Sequence, residues 1–120
     1  MSTRFILGAT VVAAVLSLGT AAWAQGAAPS GNADQGKRLF VNDGCYQCHG
    51  YVGQGGNAGP RLAPAPVAFE AFSKQLREPQ HDMPPYGEKI LSDKDAADIY
   101  AYLQTVPKPP AVKDIPLLNQ

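Results

Sequence analysis

The sequence predicts a small all-α fold, with three to four short helices joined by long loops. Apolar side chains recur at helical spacing in segments that begin with capping residues. No segment shows the alternating pattern of a strand. The 120 residues include 12 glycines and 11 prolines, which keep the intervening segments as loops. So short a chain buries a limited core, and we expect it to need a covalent or cofactor staple.

Residues 1–24 have the pattern of a secretory signal peptide. The single positive charge of Arg4 precedes an uncharged apolar run that ends in A-W-A at Ala24, as at a cleavage site. A retained anchor is the alternative, because the run is long enough to span a bilayer. We expect cleavage after Ala24, export to the periplasm, and a flexible lead-in over residues 25–31.

The charge of the mature chain excludes some classes of partner. The full chain has 10 basic and 10 acidic side chains, so removal of Arg4 leaves a formal charge of −1. No strong field favours a nucleic acid or an anionic membrane. No later segment is apolar enough to cross a membrane.

The folded domain is expected to span residues 32–106, and its first helix is predicted from Ala33 to Val41. Asn32 is a suitable N-cap, and Gln35 follows three residues later, as in a capping box. Gly44 is expected to end the element.

A second helix is predicted from Val67 to Arg77. Phe69, Phe72 and Leu76 follow the spacing of one helical face. Pro79 should stop this helix by disfavouring helical geometry at the preceding residue.

The last helix is predicted from Asp93 to Thr105 and has the clearest start signal. Ser92 is placed to cap it, with Asp95 in the capping-box position. The tail, residues 107–120, is too rich in proline to continue the helix.

Both cysteines of the chain, Cys45 and Cys48, directly precede a histidine, His49. A redox disulfide is one interpretation, but that chemistry normally uses a βαβ scaffold, and no strand is predicted. A zinc site that includes His81 is another. It is geometrically awkward, because the side chains of the adjacent residues Cys48 and His49 diverge.

The third interpretation is the C-x-x-C-H motif of covalent haem attachment. Thiols three residues apart on a helical turn are neighbours, so both can bond to one haem. His49 is then carried towards the iron as its proximal ligand. Export agrees, because this attachment is completed outside the cytoplasm. We predict one haem c, attached through Cys45 and Cys48.

The sixth iron ligand is predicted to be Met83, the only methionine after the signal peptide. It begins the stretch MPPYG, whose prolines stiffen the loop. Ligation by methionine and histidine raises the potential, as suits an electron carrier. His81, the only other histidine, is the alternative and would give a bis-histidine haem.

The sequence resembles the small class I cytochromes c of the bacterial periplasm, of the dehydrogenase-associated type. The matching stretches are ADQGKRLF, GCYQCHG, GPRL, MPPYG and SDKDAADIYAYL, in the order found in that family. The resemblance implies a cytochrome c-like fold wrapped around the haem. It also implies that Gly36 and Phe40 of the first helix cross Tyr102 of the last.

The resemblance further implies how the haem is held. The Pro60 carbonyl should accept a hydrogen bond from the His49 Nδ1–H, which fixes the imidazole. The residues expected to wall the haem are apolar: Leu62, Phe69, Phe72, Ile99 and Leu103. The mature chain lacks the tryptophan that many relatives place near the propionates. Arg61 is the strongest substitute by charge; the other candidates are Gln54, Asn57, Tyr86 and Lys89.

These features predict a periplasmic electron carrier that is not itself an enzyme, since no paired carboxylates or activated nucleophile stand out. The expected donor is a periplasmic dehydrogenase with a flavin, quinone or molybdenum centre. The expected acceptor is a terminal oxidase or another cytochrome. A bound haem subunit of a dehydrogenase complex remains an alternative. A haem sensor or gas binder is a further one, if Met83 is not a firm ligand.

Overall fold

The computed structural model describes residues 28–118, and the secondary structure within that range is all-helical. The α-helices are α1 (Ala33–Asn42), α2 (Cys45–His49), α3 (Phe69–Arg77) and α4 (Asp93–Thr105). Two short 3₁₀ turns, Val112–Asp114 and Pro116–Leu118, follow in the tail. The predicted fold class is confirmed.

Some sequence predictions fall partly or wholly outside this range. The predicted signal peptide, residues 1–24, and the first part of the lead-in lie outside the described residues. Between residues 28 and 118, no helix combines the length and the apolar character that crossing a bilayer requires.

Helices α1 and α4 cross in direct backbone contact at Gly36. A Cβ atom on this glycine would overlap the carbonyl oxygen of Asp98 and lie 2.7 Å from the amide nitrogen of Ile99. One turn further along α1, the buried ring of Phe40 packs on Tyr102, with ring centroids 5.6 Å apart. The crossing implied by the family resemblance is therefore present.

A buried carboxylate joins the start of α1 to α4. The side chain of Asn32 caps α1 by accepting from the amide of Gln35, as predicted. Gln35 does not complete a capping box, because its side-chain oxygen accepts from Arg38. The Asn32 amide donates to Asp98, only 1% exposed, at 2.7 Å. Lys94 donates to the other oxygen of Asp98 at 2.6 Å.

Helix α3 begins two residues later than predicted. The Val67 carbonyl accepts a hydrogen bond from the Tyr100 hydroxyl at 3.0 Å, and Ala68 is the N-cap of the helix. The helix ends as predicted before Pro79, since Glu78 has the non-helical angles φ −128° and ψ 67°. A tertiary contact with α4 thus accompanies the late start of α3.

The predicted capping box of α4 is confirmed. Ser92 accepts from the Asp95 amide, and the Asp95 carboxylate accepts in turn from the Ser92 amide. This cap fixes the residue at which the preceding loop ends and α4 begins.

The core lies between α1, α3 and α4. Its larger buried aliphatic and phenyl side chains are Phe40, Phe72, Leu76, Leu91, Ile99 and Leu103. A second group of side chains packs against this core while staying partly exposed. It includes Cys45, Tyr46, Leu62, Phe69, Met83 and Tyr86. Four of the residues predicted to hold or wall a haem belong to this half-covered group, namely Cys45, Leu62, Phe69 and Met83. Phe72, Ile99 and Leu103 lie in the buried core instead.

Candidate haem site

Helix α2 carries the C-x-x-C-H motif on a single turn. Gly44, in the left-handed conformation at φ 77°, joins it to α1, and Gly50 ends it at φ 78°. Residues without a Cβ adopt these positive φ values at little cost. Cys45 is half-buried and Cys48 exposed, and both thiols are free. The helical placement predicted from the spacing is therefore observed.

His49 is held in one orientation by the loop that follows it. The residue is 8% exposed, and its Nδ1 lies 2.8 Å from the Pro60 carbonyl oxygen. Because a carbonyl can only accept, Nδ1 carries the proton, and Nε2 is left with the lone pair that binds a metal. The hydrogen bond implied by the resemblance is present. Such a bond fixes the ring and raises the basicity of the ligand nitrogen.

A glycine lets this loop approach the imidazole closely. A Cβ atom on Gly59 would lie 3.0 Å from both the His49 Nδ1 and the Cys48 carbonyl oxygen. On the other side, the Gly55 amide donates to the His49 carbonyl at 2.7 Å. Sequence reasoning did not single out these two glycines, although their clustering in residues 50–60 was visible.

The environment of Cys45 opposes disulfide-exchange chemistry. Burial, and then the nearby negative charge of Asp43, raise the pKa of the Cys45 thiol to about 11. Redox-active cysteines instead have lowered pKa values, because the thiolate is the reactive form. The thiol environment therefore does not support the disulfide interpretation.

The two candidates for the sixth ligand occupy different environments. Met83 is half-buried and packs against the core, whereas His81 is exposed. His81 has φ 60°, which is uncommon for a residue other than glycine. The Gln75 side-chain amide lies 3.8 Å from the Met83 sulfur. Sequence reasoning missed Gln75, and no local signal marks it, since it meets Met83 only through the fold.

Arg61 and Leu62, the two residues after Pro60, lie in different environments. Leu62 is half-buried against the core. Arg61 is exposed and, with Lys108, lines a cavity of about 380 Å³. The remaining lining residues of this cavity are small or apolar: Ala63, Pro64, Ala65 and Pro109.

Two other candidates for the propionates have partners within the fold. The Tyr86 hydroxyl donates to the Asp43 carbonyl at 3.0 Å. The Gln54 side-chain oxygen accepts from the Val52 amide at 3.0 Å. Backbone groups therefore already use part of the hydrogen-bonding capacity of these two side chains.

The donor set fits a covalently attached haem. Two free thiols share one helical turn, the next residue offers a fixed Nε2 lone pair, and a half-buried thioether sits on a separate loop. The half-covered side chains around them are apolar or polarizable, as a flat porphyrin requires. A fold and a site of this kind define a c-type cytochrome.

Comparison with known families agrees with this class. A family model described as "Cytochrome C oxidase, cbb3-type, subunit III" matches residues 31–103. That stretch is more than half of the chain, and the protein belongs to this family. A comparison with curated proteins found no match. The chain is thus a haem-based electron carrier with haem c bound covalently through Cys45 and Cys48, which form the attachment motif with His49.

Proposed function

We propose that this cytochrome is a class I, periplasmic carrier of single electrons. Its donor is a periplasmic dehydrogenase with a flavin, quinone or molybdenum centre. Its acceptor is a terminal oxidase or another cytochrome. The bound haem supplies the one-electron Fe(III)/Fe(II) couple. The main supporting observation is that the chain offers a fixed His49 Nε2 and the half-buried Met83 thioether, a ligand pair that raises the potential. The description of the matched family supports a place next to an oxidase.

The proposed iron ligands are His49 and Met83, with Pro60, Leu62 and Arg61 close to the haem. Met83→Ala should remove the long-wavelength sulfur–iron band of the oxidised protein and lower the potential. His81→Ala is the matched control and should leave both nearly intact, because His81 is exposed. The opposite result would assign the sixth position to His81.

Firm ligation on both sides of the iron would leave no open position for a gas and would argue against a haem sensor or gas binder. The reduced wild-type protein should then bind carbon monoxide slowly and incompletely. Rapid, complete binding would instead support an open coordination position and the sensor alternative. Members of cytochrome c families are generally carriers and not enzymes.

Donors and acceptors are proposed to meet a near-neutral surface beside the attachment motif. Neither residues 44–60 nor residues 83–87 contain Asp, Glu, Lys or Arg. The ring of Tyr46 stacks on that of Tyr51 at 4.9 Å, and Tyr51 and Val52 are exposed. Charge steering is screened over roughly 8 Å at physiological ionic strength, so it contributes little to association at such a surface.

The corresponding test is the ionic-strength dependence of electron transfer from the isolated dehydrogenase. The rate should change only a few-fold between low and moderate salt. A steep fall would place the docking ring on charged residues instead, with Lys74, Lys89 and Arg61 as the first to test.

A second candidate role is that of a bound haem subunit, and the tail favours it. Leu117 and Leu118 are 80% and 62% exposed. Leu117→Ser with Leu118→Ser should then weaken electron uptake from the dehydrogenase while leaving thermal stability unchanged. A loss of stability with normal uptake would mean that the tail serves the fold of this protein. Size exclusion of material from the native host separates a free carrier from a subunit.

The proposed location follows from the predicted leader. Cytochrome c domains are typically exported, and cleavage after Ala24 would release the chain into the periplasm. The mature protein should therefore begin at Gln25, and its mass should equal that chain plus one haem. Detection of two free thiols in this holoprotein would contradict thioether attachment through Cys45 and Cys48.

A further inference from the structure

The last residues of α3 hold the loop that carries Met83. This segment, the methionine loop, comprises residues 79–91. The Leu76 carbonyl accepts from the Tyr86 amide at 2.8 Å. The next residue, Arg77, reaches across the same loop with its guanidinium group. The loop is therefore fixed to a helix outside it.

Arg77 makes three hydrogen bonds, two to the second half of the methionine loop and one to Asp93 just beyond its end. Its Nη1 donates to the carbonyl oxygens of Tyr86 and Leu91, both at 2.7 Å. Its Nη2 donates to the Asp93 carboxylate at 2.7 Å. The planar guanidinium can serve all three acceptors from one position, which an ammonium on a flexible stem matches poorly. The side chain is only 19% exposed, so water competes weakly for these bonds.

We propose that Arg77 is a positioning residue that keeps Met83 on the iron, an inference that rests on the proposed ligation by Met83. Tyr86 follows Met83 by three residues, and the two between them are prolines. Proline fixes φ, so anchoring Tyr86 restricts where the sulfur can go. Dissociation of the thioether requires this loop to move, and motion of its far end breaks the bonds of Arg77.

The two backbone carbonyls, and not the ion pair, carry this role. Asp93 is 76% exposed on its side chain, and exposed ion pairs contribute little to stability. Hydrogen bonds from a charged donor to shielded acceptors contribute more. Arg77→Gln and Asp93→Asn should therefore differ strongly in their effects on the methionine loop.

Carbon monoxide binding to the reduced holoprotein measures loop opening, because the gas needs the position vacated by the sulfur. Arg77→Gln should bind carbon monoxide at least about tenfold faster than wild type, since two charge-assisted bonds are lost. Its long-wavelength sulfur–iron band should also weaken in the oxidised form. Asp93→Asn should stay within about twofold of the wild-type rate.

A control separates local opening from general loss of stability. Asp98→Asn removes a buried charge from the α1–α4 contact, away from the methionine loop. It should lower the denaturant midpoint yet leave the carbon monoxide rate within about twofold of wild type, as expected of an independent site. If Asp98→Asn accelerates binding as much as Arg77→Gln does, the specific role of Arg77 is refuted.

The outcomes also distinguish this inference from the ligation on which it rests. A wild-type protein without the sulfur–iron band refutes ligation by Met83, and the role of Arg77 with it. A wild-type protein with the band, together with an unchanged carbon monoxide rate in Arg77→Gln, refutes only the role of Arg77. If Arg77→Gln does not fold, Arg77→Lys replaces it. A wild-type rate in that variant would equally overturn the proposal.

Discussion

Replacing Gly36 with alanine sets helix propensity against helix packing. Alanine is favoured over glycine inside a helix by about 1 kcal/mol, so propensity alone predicts stabilisation. The added Cβ would overlap the Asp98 carbonyl oxygen and lie 2.7 Å from the Ile99 amide. Both groups are backbone and cannot rotate away. Overpacking typically costs about 1–3 kcal/mol and occasionally more. A severe overlap with backbone atoms places the cost at the upper end of that range, so packing should win.

We expect Gly36→Ala to lower the free energy of unfolding by about 2 kcal/mol after the propensity gain. In a domain of this size that is a fall in Tm of roughly 10 °C. The assay is denaturant and thermal unfolding of the holoprotein, followed by far-ultraviolet circular dichroism. Lys37→Ala, at the neighbouring exposed position of α1, is the matched control and should change stability by less than about 0.5 kcal/mol. Equal stability of wild type and Gly36→Ala would show that the crossing is looser than described.

Two further predictions concern single polar contacts. The amide of Asn32, and then Lys94, lower the pKa of Asp98 below 3.8. Its ionised form therefore stabilises the fold above that value, and this contribution is lost as the pH falls through the lowered pKa. The stability difference between wild type and Asp98→Asn should be constant from pH 8 to about pH 5 and shrink below about pH 4; a difference that grew in acid would contradict this. Separately, Gln75→Leu should lower the reduction potential measured by redox titration. Fe(III) needs more electron donation from its ligands than Fe(II) does, and a hydrogen-bond donor to the Met83 sulfur reduces that donation. Removing the donor should therefore favour the oxidised form. A hydrogen bond of about 1 kcal/mol corresponds to roughly 40 mV for a one-electron couple. The expected shift is a fraction of this, of order 20 mV. A rise in potential would refute the reasoning.

The helices could be predicted because their signals are local. Asn32 and Ser92 cap α1 and α4 as their sequence positions indicate. Pro79 ends α3 through its effect on the preceding residue. The attachment motif is equally local, because its cysteines and His49 lie within one turn. Each of these predictions depends on residues no more than a few positions apart.

The features that sequence reasoning missed depend on contacts between distant segments. The Tyr100 hydroxyl meets the Val67 carbonyl at the start of α3, 33 residues away. Arg77 bonds Leu91, 14 residues further on. From the sequence alone, Asp98 looks like an exposed residue of a charged helix. Its buried role depends on Asn32, which lies 66 residues earlier in the chain. The spacing of residues within one segment does not indicate partners in a distant segment.

The predicted site combined both kinds of information. The spacing of the cysteines and His49 was sufficient to predict covalent haem. The acceptor for the His49 ring came instead from the family resemblance, and the fold places Pro60 there. The sequence offered only one methionine after the leader, which made Met83 a clear candidate. It did not show what holds that methionine in place.

The two proposed iron ligands are held by different means. His49 lies on a helix that is covalently tied to the haem through Cys45 and Cys48, and its ring is fixed by the Pro60 carbonyl. Met83 lies on a loop whose far end is fixed by Arg77. Losing the first ligand requires the attachment helix itself to rearrange, whereas losing the second requires only that the loop move. If Met83 is the sixth ligand, the sulfur–iron bond is therefore the less secure half of the site, and the bonds that we propose for Arg77, remote from the iron, should determine how long it lasts.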